Sequence, residues 1–129
     1  MATVGQLMSR DLSVITEDTT VKQAAGQMHD QRIGSLLVKK GDDFSGIITE
    51  TDVVRAVAER DDVAEASVVH VMSSPILTVE KKLSPHYARD LMANKSIRHL
   101  AVTDDGKIVG ILSARDLLAY FKTVSKEVS

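Results

Sequence analysis

Two seven-residue segments of the sequence combine a glycine, a hydroxyl side chain and a carboxylate in the same order. The first is 46–52 with Thr49 at its centre, and the second is 110–116 with Ser113 at that position. A hydroxyl at a helix N-terminus, beside free N–H groups, is suited to a phosphate. A carboxylate one helical turn later can accept hydrogen bonds from ribose hydroxyls, as acidic residues do in dinucleotide-binding folds. The combination predicts contacts to the phosphate and ribose of a nucleotide.

The same residues also have a purely structural interpretation. Thr49 with Asp52, and Ser113 with Asp116, are typical of N-cap pairs that satisfy the first N–H groups of a helix. Capping alone does not require the preceding glycine, nor the repetition of the whole motif. A glycine late in a strand allows another group to approach its backbone closely. The glycine and the repetition therefore favour a binding site over capping alone.

Both segments belong to a longer internal repeat. The second half of the chain aligns with the first at a constant offset of 64 residues without a gap. Identical pairs include Met8/Met72, Ser9/Ser73, Ala24/Ala88, Met28/Met92, Ile33/Ile97, Val38/Val102, Gly46/Gly110, Ile47/Ile111 and Asp52/Asp116. A chance alignment rarely keeps one register while also matching glycine and aspartate. We therefore interpret the chain as two copies of one structural unit.

Each copy has the pattern of a short strand, a helix, two strands and a closing helix. Thr20 with Gln23 has the spacing of a capping box, and Ser84 before Pro85 is a typical helix start. The predicted strands and closing helices are 12–15, 33–38, 44–48 and 51–59 in the first copy, and 76–79, 97–102, 107–112 and 115–124 in the second. The hairpin of the second copy turns at Asp104-Asp105-Gly106, a strong hairpin signal.

This pattern predicts an α+β fold, similar to an α/β sandwich, with two βαββα repeats. Neither copy alone is long enough to bury much surface, so we expect the two sheets to pack face to face with approximate two-fold symmetry. Such symmetry predicts paired clefts between the copies. The predicted organisation is a first repeat at 4–60, a linker at 61–67, a second repeat at 68–124 and a mobile tail at 125–129.

The composition excludes several classes of protein. The 129 residues carry a net charge of −2, so no basic field indicates nucleic acid or an anionic membrane. There is no cysteine, which excludes a disulfide framework, a thiolate zinc site and a cysteine nucleophile. No apolar run approaches the ~18–20 residues of a membrane span, and the first residues lack a signal-peptide pattern. We therefore expect a cytoplasmic protein that binds neither nucleic acid nor membrane.

No constellation of side chains predicts catalysis. The histidines, His29, His70, His86 and His99, are scattered along the chain. His86 shares a helix face with Asp90, but zinc needs three or four converging groups and no third ligand is evident. No Ser-His-Asp set is visible. We predict no catalytic residue, no metal and no cofactor; an enzyme acting on nucleotides would need a general base or metal, for which only His99 is available.

On these motifs the chain, from about residue 4 to 121, resembles a tandem pair of cystathionine β-synthase (CBS) domains, the stand-alone Bateman module. Segments 46–52 and 110–116 are similar to the ribose-phosphate signature of that family. The resemblance implies phosphate contacts for Thr49, Thr51, Ser113 and Arg115, and ribose contacts for Asp52 and Asp116. Since aromatic residues are only 3%, aliphatic side chains would hold an adenine ring, namely Ile47, Ile111 and Leu77.

The two copies differ in charge where the first hairpin strand begins. The basic pair that is frequent in the family is matched by Arg98 and His99, whereas the first copy has Gly34 and Ser35 there. The resemblance implies that each cleft draws on both copies. The Asp52 cleft would then receive Arg98, His99, Pro75 and Leu77, and the Asp116 cleft would receive Asp11, Ser13 and Gly34. Because a guanidinium forks onto phosphate oxygens, we expect tighter phosphate binding in the Asp52 cleft.

These observations predict a regulatory module that senses an adenine nucleotide (AMP, ADP or ATP) and has no catalytic activity. NAD and S-adenosylmethionine are alternative ligands, and a structural dimerisation module without ligand is the alternative function. Apolar residues beyond one face of the closing helices predict a partner surface. They are Val53, Val54, Val57, Leu117, Leu118, Tyr120 and Phe121. Related modules pair through helices, so the resemblance implies a homodimer, and a regulated protein in trans is the other expected partner.

Overall fold

The computed structural model describes the backbone of residues 1–128 and the side chains of residues 1–125. Packing divides the chain into two units. The first-repeat unit is Ser13–Ile76, and the second-repeat unit joins Met1–Leu12 to the chain from Leu77 onward. The N-terminal segment therefore packs with the second repeat, although most of it belongs to the first repeat in sequence.

The helices and strands follow the predicted order in both copies. In chain order they are α1 (Val4–Leu7), β1 (Val14–Thr16), α2 (Val21–Gln31), β2 (Ser35–Lys40), β3 (Asp43–Thr49), α3 (Glu50–Glu59), a 3-10 helix (Val68–His70), β4 (Thr78–Glu80), α4 (Pro85–Lys95), β5 (His99–Asp104), β6 (Lys107–Ser113) and α5 (Ala114–Val128). Helix α5 thus continues four residues beyond its predicted end, and Ser129 of the predicted tail lies outside the described residues.

Each unit contains one three-stranded sheet. The first sheet has the order β1-β2-β3 and the second β4-β5-β6, with one parallel and one antiparallel pairing in each. The registers repeat at the offset read from the sequence, since Val14 pairs with Leu37 and Thr78 pairs with Ala101. The two βαββα repeats and the α+β class are therefore confirmed.

Local hydrogen bonds explain where the inner helices begin. The Thr20 hydroxyl accepts from the N–H of Gln23 at 3.1 Å, and the Gln23 side chain accepts from the N–H of Thr20 at 3.0 Å. The Ser84 hydroxyl accepts from the N–H of Tyr87 at 3.3 Å, with Pro85 at the first helical position. Both predicted helix starts are confirmed. Within the described residues, no helix has the length and apolar character to cross a membrane.

Each unit has its own apolar core, and the first residues of the other repeat contribute to that core. The first core is built on Leu36, Ile48 and Met28, and Val68 of the 3-10 helix is fully buried in it. The second core includes Leu100, Leu112 and Met92, and Val4 of α1 is fully buried there. Val4 and Val68 occupy equivalent positions of the repeat. Each leading segment thus completes the core of a unit formed mainly by the other copy.

The segment after α3 has neither helix nor strand, and an ion pair stabilises its turn. The guanidinium of Arg60 donates two hydrogen bonds to the carboxylate of Asp62, at 2.9 and 3.0 Å. The hydrogen bond from Arg60 is the main reason that the pKa of Asp62 lies below its ordinary value of 3.8.

Candidate functional site

The first motif forms the junction between β3 and α3. The Thr49 hydroxyl accepts a hydrogen bond from the N–H of Asp52 at 3.3 Å, and the Asp52 carboxylate accepts one from the N–H of Thr49 at 2.9 Å. This reciprocal pair is a capping box with a carboxylate as the returning acceptor. The structural interpretation of the motif therefore holds in the folded chain.

The carboxylate of Asp52 has two further partners in its own unit. Arg55, one turn later on α3, donates from Nη2 to Oδ1 at 2.8 Å. The Ser73 hydroxyl donates to Oδ1 at 3.1 Å. Arg55 is itself held by a bond to the carbonyl of Val71 at 3.3 Å. Asp52 is 2% exposed, so these contacts surround the carboxylate.

The second motif has the same cap with fewer additional partners. The Asp116 carboxylate accepts from the N–H of Ser113 at 2.8 Å, and the Ser113 hydroxyl accepts from the N–H of Asp116 at 3.1 Å. The repeat places Ala119 at the position of Arg55. Among the residues that the structure describes, these cap bonds are the only hydrogen bonds to Asp116, which is half-buried.

The glycines of the two motifs are approached by the chain itself. A Cβ added to Gly46 would lie 2.5 Å from Sδ of Met72 and 2.9 Å from the carbonyl oxygen of Ser73. At Gly110 the corresponding distances, to Met8 and Ser9, are 2.3 and 2.8 Å. The close approach predicted from the sequence exists, but the chain itself makes it, through a methionine side chain and a serine carbonyl. These glycines therefore do not by themselves indicate a ligand.

That close approach reflects an additional bridge on each sheet. Ile47 and Ser73 exchange two backbone hydrogen bonds, of 3.0 and 2.8 Å, and Ile111 and Ser9 do the same at 2.9 and 2.8 Å. The repetition of Met-Ser at 8–9 and 72–73 was visible in the sequence. This repetition is the sequence feature from which the role of the glycines could have been predicted.

The carbonyls that begin the first hairpin strand of each copy also support the motifs. The N–H of Glu50, the first of α3, donates to the carbonyl of Gly34 at 3.1 Å. The N–H of Ala114, the first of α5, donates to the carbonyl of Arg98 at 2.8 Å. Positions 34 and 98 therefore have the same backbone role in their units, while only Arg98 carries a charged side chain, which is exposed.

The remaining predicted site residues occupy different positions around the two motifs. Ser13 accepts from the N–H of Leu37 at 3.0 Å, and its hydroxyl donates to Gln31 at 3.1 Å. His99 lies opposite Ser113 in the β5–β6 pairing. Ile47 is buried, Ile111 and His99 are half-buried, and the exposed residues are Asp11, Thr51, Pro75, Leu77 and Arg115. Arg55 and Ser73 lie outside the two motifs and were not among the predicted site residues. The sequence feature that indicates Arg55 is its difference from Ala119 in the repeat alignment.

The residues of the predicted partner surface separate into two groups. Val53 packs against the first core, and Leu117 and Phe121 belong to or pack against the second. These side chains stabilise the units themselves. Exposed apolar side chains remain on both closing helices, with relative exposures of 68% for Val54 and 70% for Leu118. Val57, at 62%, lies one turn after Val54.

Comparison with known proteins shows to which family the chain belongs. The CBS domain family matches the chain twice, at residues 4–59 and 65–123. The chain belongs to the CBS domain family. The uncharacterized protein MK0525 of Methanopyrus kandleri is 36% identical over 118 residues, which cover 89% of this CBS pair. The pair spans 60% of the length of that relative.

Solved structures of other CBS pairs share the fold. The CBS-domain containing protein ATU1752 from Agrobacterium tumefaciens superposes with a TM-score of 0.89 at 27% identity, covering 93% of this chain and 99% of that one. The CBS pair of protein MJ0100 gives a TM-score of 0.84 at 20% identity, covering 95% and 98%, which shows a common fold. Stand-alone CBS pairs are generally regulatory ligand-binding modules and not catalysts.

Proposed function

We propose that this CBS pair senses an adenine nucleotide, AMP, ADP or ATP, through its strand-to-helix turns. The observation that carries the proposal is the arrangement at the N-termini of α3 and α5. In each turn, reciprocal cap bonds hold a hydroxyl and a carboxylate side by side at the helix N-terminus, and Thr49 Oγ1 lies 3.1 Å from Asp52 Oδ2. A hydroxyl beside free N–H groups suits a phosphate, and the adjacent carboxylate suits the ribose of the same nucleotide.

The hydrogen bonds of each turn leave one N-terminal donor for a phosphate. In α3 the N–H groups of Glu50 and Asp52 donate to Gly34 and Thr49, and in the described part of the chain the N–H of Thr51 has no such acceptor. The same holds for Arg115 in α5. Such donors, together with the helix dipole, favour an anion at this point.

An adenosyl ligand is the class of choice for two reasons. Aliphatic side chains adjoin the motifs, and the protein has few aromatic residues to stack a base. The MJ0100 pair, which shares the fold at 20% identity, is described in complex with 5′-methylthioadenosine and S-adenosyl-L-methionine. S-adenosylmethionine and NAD are therefore the alternative ligands to be tested beside the nucleotides.

The proposal includes an output without catalysis. The module acts in the cytoplasm, as a homodimer, on a regulated protein in trans, and ligand binding shifts its conformational equilibrium. Exposed Val54, Val57 and Leu118 support self-association, since burying them on a partner removes apolar surface from water. The module has no nucleic-acid or membrane partner, consistent with its net charge of −2.

A ligand panel tests the proposal. We expect AMP, ADP or ATP to raise the melting temperature, because a ligand at ~100 times its dissociation constant adds about 2.7 kcal/mol to the free energy of unfolding. Ribose 5-phosphate and cytidine nucleotides are the controls for phosphate alone and for the base. Calorimetry measures the stoichiometry of any ligand that shifts the melt. The absence of a shift with every adenosyl compound at millimolar concentration would refute the proposal.

A structural dimerisation module without ligand is the second candidate. The observation that favours it is that both motifs form complete capping boxes, so that their residues already have a role in the apo chain. It predicts no response to any nucleotide and a dimer that persists when the caps are removed. The ligand panel separates this function from a ligand sensor, and light scattering on Asp52→Ala and Asp116→Ala checks whether the dimer persists without the caps.

A further inference from the structure

The two motif aspartates differ in how many hydrogen bonds their carboxylates already accept from residues of their own unit. Asp52 accepts hydrogen bonds from the N–H of Thr49, from Arg55 and from Ser73, at 2.9, 2.8 and 3.1 Å. Asp116 accepts the equivalent backbone bond from Ser113 at 2.8 Å. The arginine contact follows from the sequence at one position of the closing helix, where the first copy has Arg55 and the second has Ala119, whereas Ser73 and its equivalent Ser9 are the same residue type.

This occupancy decides which carboxylate is available to a ribose. An ionised carboxylate has about four acceptor positions, and a pair of ribose hydroxyls needs two of them. At Asp52 the diol has to displace the charged Arg55 or the Ser73 hydroxyl from a carboxylate that is 2% exposed. Asp116 is half-buried, and its cap bond engages Oδ2. A ribose can bind there without breaking an ion pair.

Within its own unit, the second turn also carries more positive charge beside its proposed phosphate-binding N–H groups than the first turn does. Arg98 and Arg115 are exposed and flank the first residue of α5, with the carbonyl of Arg98 bonded to the N–H of Ala114. The equivalent positions of the first turn hold Gly34 and Thr51, which carry no charge. Positive charge at a helix N-terminus adds to the attraction of the free N–H groups for a phosphate.

We infer that Arg55 closes the first turn to ribose, so that the nucleotide binds with highest affinity at the Ser113–Asp116 turn. Asp52 then has a structural role, and Arg55 is the residue that sets the difference between the two copies. The inference rests on the proposed function and deepens it. It reverses the preference for the Asp52 cleft predicted from the sequence, because Arg55 already occupies Asp52 and because Arg98 adjoins the Ser113–Asp116 turn within the second unit.

Exchanging the residues at position 55 and its equivalent tests the inference. AMP is titrated calorimetrically into the wild type, Arg55→Ala and Ala119→Arg. Arg55→Ala gives the first copy the side chain of the second, and we expect a second molecule of AMP to bind per chain. Ala119→Arg gives Asp116 an ion pair at i+3, and we expect AMP affinity to fall roughly tenfold, as for the loss of one charge-assisted hydrogen bond.

Matched controls separate charge from size. Ala119→Gln adds a long neutral side chain at the same exposed position and is expected to keep the wild-type affinity. Arg55→Gln removes the charge and retains most of the side-chain length, and it replaces Arg55→Ala if that variant does not fold. Circular dichroism melts without ligand check the fold of every variant.

Each result distinguishes the inference from the proposed function. Loss of the high-affinity site in Asp116→Asn, with a second site gained in Arg55→Ala, supports both. High-affinity binding that survives in Asp116→Asn and disappears in Asp52→Asn overturns the inference and leaves the sensor function intact. An unchanged stoichiometry in Arg55→Ala, with unchanged affinity in Ala119→Arg, has the same meaning. Absence of binding in the wild type and in all variants overturns both.

Discussion

Replacing Gly110 with alanine tests whether the motif glycines serve the chain itself. The new Cβ would lie 2.3 Å from Sδ of Met8 and 2.8 Å from the carbonyl oxygen of Ser9. The methionine side chain can rotate away. The Ser9 carbonyl accepts from the N–H of Ile111 at 2.9 Å, so it cannot retreat without weakening the bridge on the outer side of β6.

The expected loss of stability is estimated from the steric overlap and from the weakened backbone hydrogen bonds. Overpacking of a closely packed site costs about 1–3 kcal/mol. Weakening the two backbone bonds between Ser9 and Ile111 costs about 0.5–1.5 kcal/mol each. Since partial relaxation relieves some of both, we expect the free energy of unfolding to fall by about 2–4 kcal/mol in Gly110→Ala. Gly46→Ala should behave alike, because Met72 and Ser73 lie at similar distances from it.

Urea denaturation monitored by circular dichroism, without ligand, measures the change. Gly26→Ala is the matched control, because Gly26 lies within α2 and an added Cβ there meets no atom within 4 Å. Alanine is a better helix former than glycine by about 0.8–1 kcal/mol, so this control should be more stable than the wild type. A Gly110→Ala protein within about 0.5 kcal/mol of the wild type would refute the packing argument, since that is the range of neutral surface substitutions.

Three further predictions use the same preparations. Asp52→Ala should lower the free energy of unfolding by about 3 kcal/mol and Asp116→Ala by about 1 kcal/mol. The first variant loses the bonds from Arg55 and Ser73 as well as a helix cap, whereas the second loses a cap. Equal losses in urea denaturation would contradict this prediction. Leu118→Glu should shift the proposed dimer toward monomer in light scattering, and an unaffected dimer would exclude Leu118 from the interface. Arg60→Ala should raise the pKa of Asp62 toward 3.8 in a carboxyl-carbon NMR titration. Because the folded pKa is depressed, the accompanying stability is present above the unfolded pKa and is lost as pH falls through the folded pKa; an unchanged titration would show that Arg60 is not the cause.

The sequence was sufficient where short-range interactions decide the structure. The capping residues Thr20 and Ser84 act on N–H groups three residues away, and the turn before Lys107 depends on adjacent residues. The repeat offset extended these local features to both copies, which is why the element order and the α+β class were predictable. The chemistry of the two motifs, a hydroxyl and a carboxylate at a helix N-terminus, was equally local.

Only the tertiary structure decided what surrounds those motifs. Gly110 is approached by Met8, from the opposite end of the chain, and Asp52 by Ser73, 21 residues later. Which core Val4 completes also depends on pairing across the chain. Such contacts arise from the packing of whole elements, which no local pattern specifies. The sequence by itself determined two capped turns with unequal charge beside them, and the tertiary structure decided how available their carboxylates are, because Asp52 is buried against an arginine and a serine of its own unit.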